Sequence, residues 1–119
     1  MVLVDTSVWI AHFKKGNRRL VELLTKSEVA CHPFVIGELA CGWLKNRREI
    51  LSLMRTLPTA RVAEDEEILR FIETNNLMGM GIGLVDVHLL ASALLTDIPL
   101  WTYDRKLRMT AQKLGVFYE

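Results

Sequence analysis

The chain has 119 residues, 50% of them hydrophobic and 24% charged, which fits one globular domain with a core of its own. That balance excludes a disordered chain, a collagen-like repeat and a disulfide scaffold. Fifteen basic and fourteen acidic residues leave a net charge of +1, so the total charge names no partner.

The elements follow in chain order. Val2-Leu3-Val4 is a short apolar run that suits a strand buried on both faces, as in parallel sheets. Asp5-Thr6-Ser7 are N-cap types, and a helix is expected over 7–14, ended by Gly16-Asn17. A second helix covers 18–26, with Leu20, Leu23 and Leu24 on one face. Residues 28–31 read as the next strand. Pro33 suits the first turn of a helix running to Leu44. Asn46 is placed to cap a further helix to Thr56, and 60–63 reads as a third strand. Residues 64–76 form a helix with an acidic first turn, as the helix dipole prefers. Residues 78–83 are a Gly-rich connector, and 84–95 is a helix apolar almost all round. A strand over 99–102, a helix over 104–114 closed by Gly115, and a last strand over 116–118 complete the chain. Short apolar strands alternating with helices predict an α/β domain with a parallel sheet.

Charge is unevenly placed. Residues 14–26, 45–61 and 105–113 each carry +4, whereas 64–73 carry −4. Three basic patches on a neutral chain are suited to a polyanion, although solvated helix faces have the same composition. Cys31 and Cys41 lie in apolar strings without metal-binding spacing, so both are expected to be buried, reduced thiols. The opening residues lack the basic segment of a signal peptide, and no apolar run suits a membrane span, so a cytoplasmic location is expected.

Four acids stand in apolar company: Asp5 after the first strand, Glu38 between Pro33 and Leu44, Asp86 between Met78 and Leu95, and Asp104 after the 100–103 run. Buried unpaired carboxylates are costly, and most bases lie in other segments, so a shared cation is the economical partner. Asp5 and Asp104 follow predicted parallel strands, whose carboxyl ends form the ligand crevice of open α/β sheets. Thr102 lies two residues before Asp104 and shares its direction in an extended chain. Gly37 and Gly42 leave room for another element beside Glu38. An all-oxygen ligand set favours Mg²⁺ or Mn²⁺ over zinc and suits phosphodiester hydrolysis. Each acid also has an ordinary reading: Asp5 and Asp104 as helix caps, Asp86 as complement to a helix dipole, Glu38 as a surface residue.

These residues resemble a known family. The string from Val2 to Trp9 looks like the opening of PIN-domain ribonucleases, especially VapC-type toxins of toxin–antitoxin pairs. Glu38-Leu39-Ala40-Cys41-Gly42, Gly83-Leu84-Val85-Asp86, Leu100 to Asp104 and Leu114-Gly115-Val116 resemble the later motifs in the family's order. The resemblance implies a three-layer α/β/α sandwich around a central parallel sheet. It implies an endoribonuclease in which Asp5, Glu38, Asp86 and Asp104 hold one or two Mg²⁺ or Mn²⁺ ions, with Thr102 as a helper and Ser7 as a weaker one. It further implies an RNA substrate (transfer RNA or a ribosomal RNA loop), a VapB-type antitoxin that blocks the acidic pocket, and a homodimer.

Arg105, Lys106 and Arg108 follow a site acid directly and are candidate phosphate contacts. His88, two residues after Asp86, reads as a hydrogen-bonded core histidine, and Trp9, Trp43 and Trp101 as core or interface residues. A phospho-acceptor receiver domain is excluded, because it needs an acidic pair after the first strand and a late lysine. The glycines at 79–83 lack the Gly-Lys-Ser/Thr of a P-loop. A catalytically silent PIN-like binding module is the remaining alternative.

Overall fold

The computed structural model describes residues 1–119. Ten elements follow one another: β1 (Val2–Val4), α1 (Thr6–Lys15), α2 (Arg18–Thr25), β2 (Val29–Ala30), α3 (Pro33–Cys41), α4 (Arg47–Met54), α5 (Asp65–Thr74), α6 (Leu84–Thr96), β3 (Leu100–Trp101) and α7 (Arg105–Lys113). The strands form a parallel sheet in the order β2-β1-β3, with helices packed around it as an α/β sandwich. The radius of gyration is 13.8 Å, close to the ~13 Å expected for a compact chain of about this length. No helix is long and apolar enough to cross a membrane.

β1 takes the middle because all three of its residues are apolar and a central strand is covered on both faces. Leu3 pairs with Ala30 on one side and with Leu100 on the other, and is fully buried. Val4 pairs with Trp101, which leaves the carboxyl ends of β1 and β3 side by side. The main core gathers β1, β2 and β3 with Val8, Trp9, Leu20, Leu23, Val35, Leu39, Leu89, Leu90 and Leu107. A smaller cluster of Ala63, Ile68, Val87 and Ala91 sits between α5 and α6. α6 is buried from Val87 to Ala93, as its apolar run predicts.

Several expectations need correction. The segment 60–63 is not a strand. Its sheet contact is one bridge, Thr59 to Cys31, closed by Cys31 N–H to Pro58 O and Ala60 N–H to Cys31 O. Pairing stops there because the paired segment enters α3 at Pro33, and the next amide, Arg61 N–H, bonds Thr96 Oγ1 on α6. The last strand is likewise a single bridge, Phe117 to Leu100. α3 ends at Cys41 rather than Leu44, because Gly42 takes an extended conformation (φ −93°, ψ 178°). Trp43 therefore lies outside the helix and is 98% exposed, and Cys41, the last residue of α3, is exposed rather than buried. Cys31 is buried as expected, and burial pushes its thiol up to about 11. Asn46 starts α4 in the left-handed region and its side chain makes no capping bond.

His32 is the N-cap of α3 and is fully buried, its Nδ1 accepting the Phe34 N–H at 3.0 Å. Burial pushes its imidazole down to about 4, and the charge of His88 adds to the shift. The unfolded chain therefore binds a proton that the native state refuses, and stability falls as pH drops from about 6.5 towards 4. His32→Asn keeps a capping acceptor and removes the titration. Its urea midpoint is expected to change less over that pH window than that of the wild type. His88 is buried, as expected of a core residue, but its Nδ1 has no hydrogen-bond partner.

Candidate active site

The parallel register carries Asp5 and Thr102 to the same edge. Asp5 N–H bonds Trp101 O at 2.9 Å, and Thr102 Oγ1 then donates to Asp5 Oδ2 at 2.8 Å. Ser7, in the first turn of α1, donates its hydroxyl to the same oxygen at 2.6 Å. Each hydroxyl is itself held by the backbone: Ser7 Oγ accepts Tyr103 N–H and Thr102 Oγ1 accepts Asp104 N–H, both at 3.0 Å. Ser7 is thus as central as Thr102. The Ser7 backbone N–H adds a longer contact to Asp5 Oδ2, so Asp5 does cap α1. All of these bonds fall on Oδ2, and Oδ1 accepts none of them.

The other three acids repeat this division of labour. Asp104 caps α7 by accepting Leu107 N–H at Oδ2, 2.9 Å. Asp86 lies in the first turn of α6 and accepts Gly83 N–H at Oδ2, 3.4 Å. Glu38 accepts the Thr6 hydroxyl at Oε1, 2.6 Å. Each carboxylate is steadied through one oxygen, and no hydrogen bond engages the other. Cap and ligand are therefore compatible roles, because the two oxygens divide them. Hydrogen bonds that orient ligating carboxylates are the usual outer support of a metal site.

Burial corrects the sequence argument. Only Asp5 is buried, at 5% exposure; Asp86 is half-buried, while Glu38 and Asp104 are exposed. Nothing packs against Gly37, and only the backbone of its own helix lies near Gly42, so no element closes over Glu38.

The four acids nevertheless form one electrostatic group. Asp86 is raised above the usual aspartate range, first by burial and then by the charges of Asp5, Asp104 and Glu38, against the lowering effect of the Gly83 N–H. None has a basic partner: the one salt bridge in the molecule is Arg19–Glu22, on the surface. No three of the His, Cys, Asp and Glu side chains stand close enough to wrap an ion without adjustment. Glu38 and Asp104 are exposed, and exposed side chains change rotamer in ps–ns. Hard oxygens, uncompensated charge and one free oxygen per acid fit a hard divalent cation such as Mg²⁺ or Mn²⁺.

The flanking bases are exposed at the start of α7. Lys106 lies against the backbone of Gly81, occupying the space a Cβ would need, and Gly81 sits at φ +77°. A positive charge is thereby held on the loop that leads to Asp86. Arg108 lies over the Phe117 ring at 5.0 Å. Thr6 escaped the sequence reading; its signal was its place in the first helical turn after Asp5.

This site sits at the carboxyl edge of a parallel sheet on a fold shared with known proteins. A PIN domain family model matches residues 2–113, and the chain belongs to that family. It is 45% identical over 117 residues to Ribonuclease VapC32 of Mycobacterium tuberculosis, covering 98% of this chain and 94% of the relative. It is 31% identical over 109 residues to Ribonuclease VapC1 of Methanocaldococcus jannaschii, covering 88% and 76%. The crystal structure of PAE2754 from Pyrobaculum aerophilum superposes with a TM-score of 0.62 at 18% identity, over 95% of this chain and 85% of that one, and so shares the fold.

Proposed function

We propose that the protein is a VapC-type endoribonuclease, the toxin of a toxin–antitoxin pair, that hydrolyses RNA phosphodiester bonds with Mg²⁺ or Mn²⁺ at Asp5, Glu38, Asp86 and Asp104. The observation that carries this reading is the shared field of four carboxylates from four segments, none of them ion-paired. The names of the relatives support the ribonuclease class.

One or two divalent ions held there would lower the pKa of the attacking water and neutralise charge on the scissile phosphate. The chain's own part is to hold and orient. Ser7 and Thr102 lock the Asp5 rotamer through Oδ2, which leaves Oδ1 free of hydrogen bonds for a ligand. Thr6 does the same for Glu38. Four carboxylates alone would repel an RNA backbone, so the exposed Arg105, Lys106 and Arg108 supply the compensating attraction. Asp5, the most buried acid, would steer the water.

The proposal extends to partners: a VapB-type antitoxin, and a second copy in a homodimer. An open groove of about 550 Å³ runs beside Glu38, walled by Ile10, Phe13, Leu44 and Ile50 and edged by Trp43, Lys14 and Lys45. An apolar segment bound there would reach the acid cluster at Glu38, as an antitoxin that silences the site must. The basic 45–61 segment contributes Lys45, Asn46 and Ile50 to this groove, which favours antitoxin contact over RNA contact for it.

The function is tested with the purified chain, free of any partner, on total RNA after chelation. Adding back Mg²⁺ or Mn²⁺ is expected to give discrete fragments with 3′-hydroxyl and 5′-phosphate ends. Fragments that form equally well in chelator, or carry cyclic phosphates, would exclude the metal-assisted reading.

A further inference from the structure

Next to the acids lies a cavity of about 450 Å³, within the size range of small-ligand sites. Its walls include four aromatic residues, Trp101, Tyr103, Phe117 and Tyr118, and two arginines, Arg19 and Arg108. Thr102 lines it as well, and the same Thr102 hydroxyl bonds Asp5. The cavity therefore begins where the acid cluster ends.

The aromatic residues are held in place. Trp101 is buried and forms the floor, packed edge-on against Tyr103 (ring centroids 6.0 Å apart, 83°) and tilted against Tyr118 (5.5 Å, 50°). Tyr103 is 54% exposed, yet its hydroxyl is tethered by Asn17 Nδ2 at 2.8 Å and its backbone N–H by Ser7 Oγ. An exposed ring fixed at both ends is a prepared stacking surface. Arg19 Nε donates to the Tyr118 hydroxyl at 2.7 Å with its guanidinium 5.8 Å from that ring. Arg108 lies over Phe117 and has no carboxylate partner. Glu119 is the one acid among the lining residues.

Aromatic faces beside the Arg108 guanidinium, which has no carboxylate partner, match an unpaired nucleotide, whose base stacks and whose phosphate takes the arginine. A peptide segment would use the rings but has less call for two arginines. We infer that this cavity binds a nucleotide of the RNA strand flanking the scissile phosphate, which makes Tyr103 and Arg108 affinity and specificity determinants. The inference rests on the RNA-cleaving reading above.

The test uses a labelled, unpaired 12-nucleotide RNA of mixed sequence. Its affinity is measured by fluorescence anisotropy, in chelator, for Asp86→Asn and for that variant with Tyr103→Ala, Tyr103→Phe or Arg108→Ala. Loss of one stacked base corresponds to about a fivefold to hundredfold drop. Tyr103→Ala is expected to fall in that range and Tyr103→Phe to keep most of the affinity. Arg108→Ala is expected to weaken binding and flatten its salt dependence. Melting temperatures should stay close, because Tyr103 and Arg108 are exposed.

Equal affinity in Tyr103→Ala and its parent would overturn the inference. With metal-dependent cleavage intact in the otherwise wild-type protein, that result would leave the nuclease assignment standing. No RNA affinity in any variant, with no cleavage by the wild type, would remove both. Unchanged RNA affinity combined with loss of a co-expressed protein partner would reassign the cavity to that partner.

Discussion

Asp86→Asn is expected to lower RNA cleavage by more than about a hundredfold and, in the metal-free protein, to raise the melting temperature. Removing an outer partner of a metal ligand typically costs about 10- to 100-fold, so removing a proposed ligand should cost more. The gain in stability has a separate origin. The Asp86 carboxyl is raised by burial and by the charges of Asp5, Asp104 and Glu38. Its native form holds the proton to a higher pH than the unfolded form does. Stability contributed at low pH is therefore lost as pH rises through the raised value, and at neutral pH the ionised group opposes folding. Asparagine has no charge to bury or repel, and its Oδ1 can still accept the Gly83 N–H. Opposite signs on activity and stability separate a functional acid from a structural one. A variant both inactive and markedly less stable would show that Asp86 supports the fold.

Leu3→Ala is expected to be the most damaging single change to the fold. Leu3 is fully buried in the middle strand and pairs with strands on both sides, so little can collapse into the space it leaves. Leucine-to-alanine changes at such sites cost about 2–5 kcal/mol, a large part of the roughly 5–15 kcal/mol that holds a domain together. In urea the midpoint should fall by more than about 1 M. Leu3→Ile keeps the volume and should cost less than about 1.5 kcal/mol. Leu69→Ala, at an exposed position on α5, should stay within about 0.5 kcal/mol. Comparable losses at Leu3 and Leu69 would contradict the burial assigned to β1.

Most elements were legible because their signals are local. Asp5 and Asp104 cap the helices that follow them and Gly16 ends α1, as their residue types predict, while Asn17, read as part of that ending, caps α2. The apolar run of α6 and the all-apolar β1 reported their burial in the same direct way. Misses occurred where tertiary contacts decide. The 60–63 segment has strand composition, but the segment it pairs with turns into α3 at Pro33 and offers no further strand. Asp5, Glu38, Asp86 and Asp104 were singled out by apolar neighbours in sequence, yet only Asp5 proved buried. Around Glu38 the apolar residues divide, Val35 and Leu39 entering the core while Phe34 and Trp43 are themselves exposed. Neighbours along a helix point in different directions, so an apolar string does not imply an apolar surrounding. The aromatic cavity was illegible for a related reason. Arg19, Tyr103 and Tyr118 belong to distant segments and meet only once the sheet has formed.

The central claim is that four carboxylates form one cation site, and calorimetric titration of Mn²⁺ into the chelator-treated protein tests it without needing a substrate. Binding to the wild type, abolished or strongly weakened in both Asp5→Asn and Asp86→Asn, is the predicted result. Heat that is absent from the wild type, or unchanged in the two variants, would contradict it.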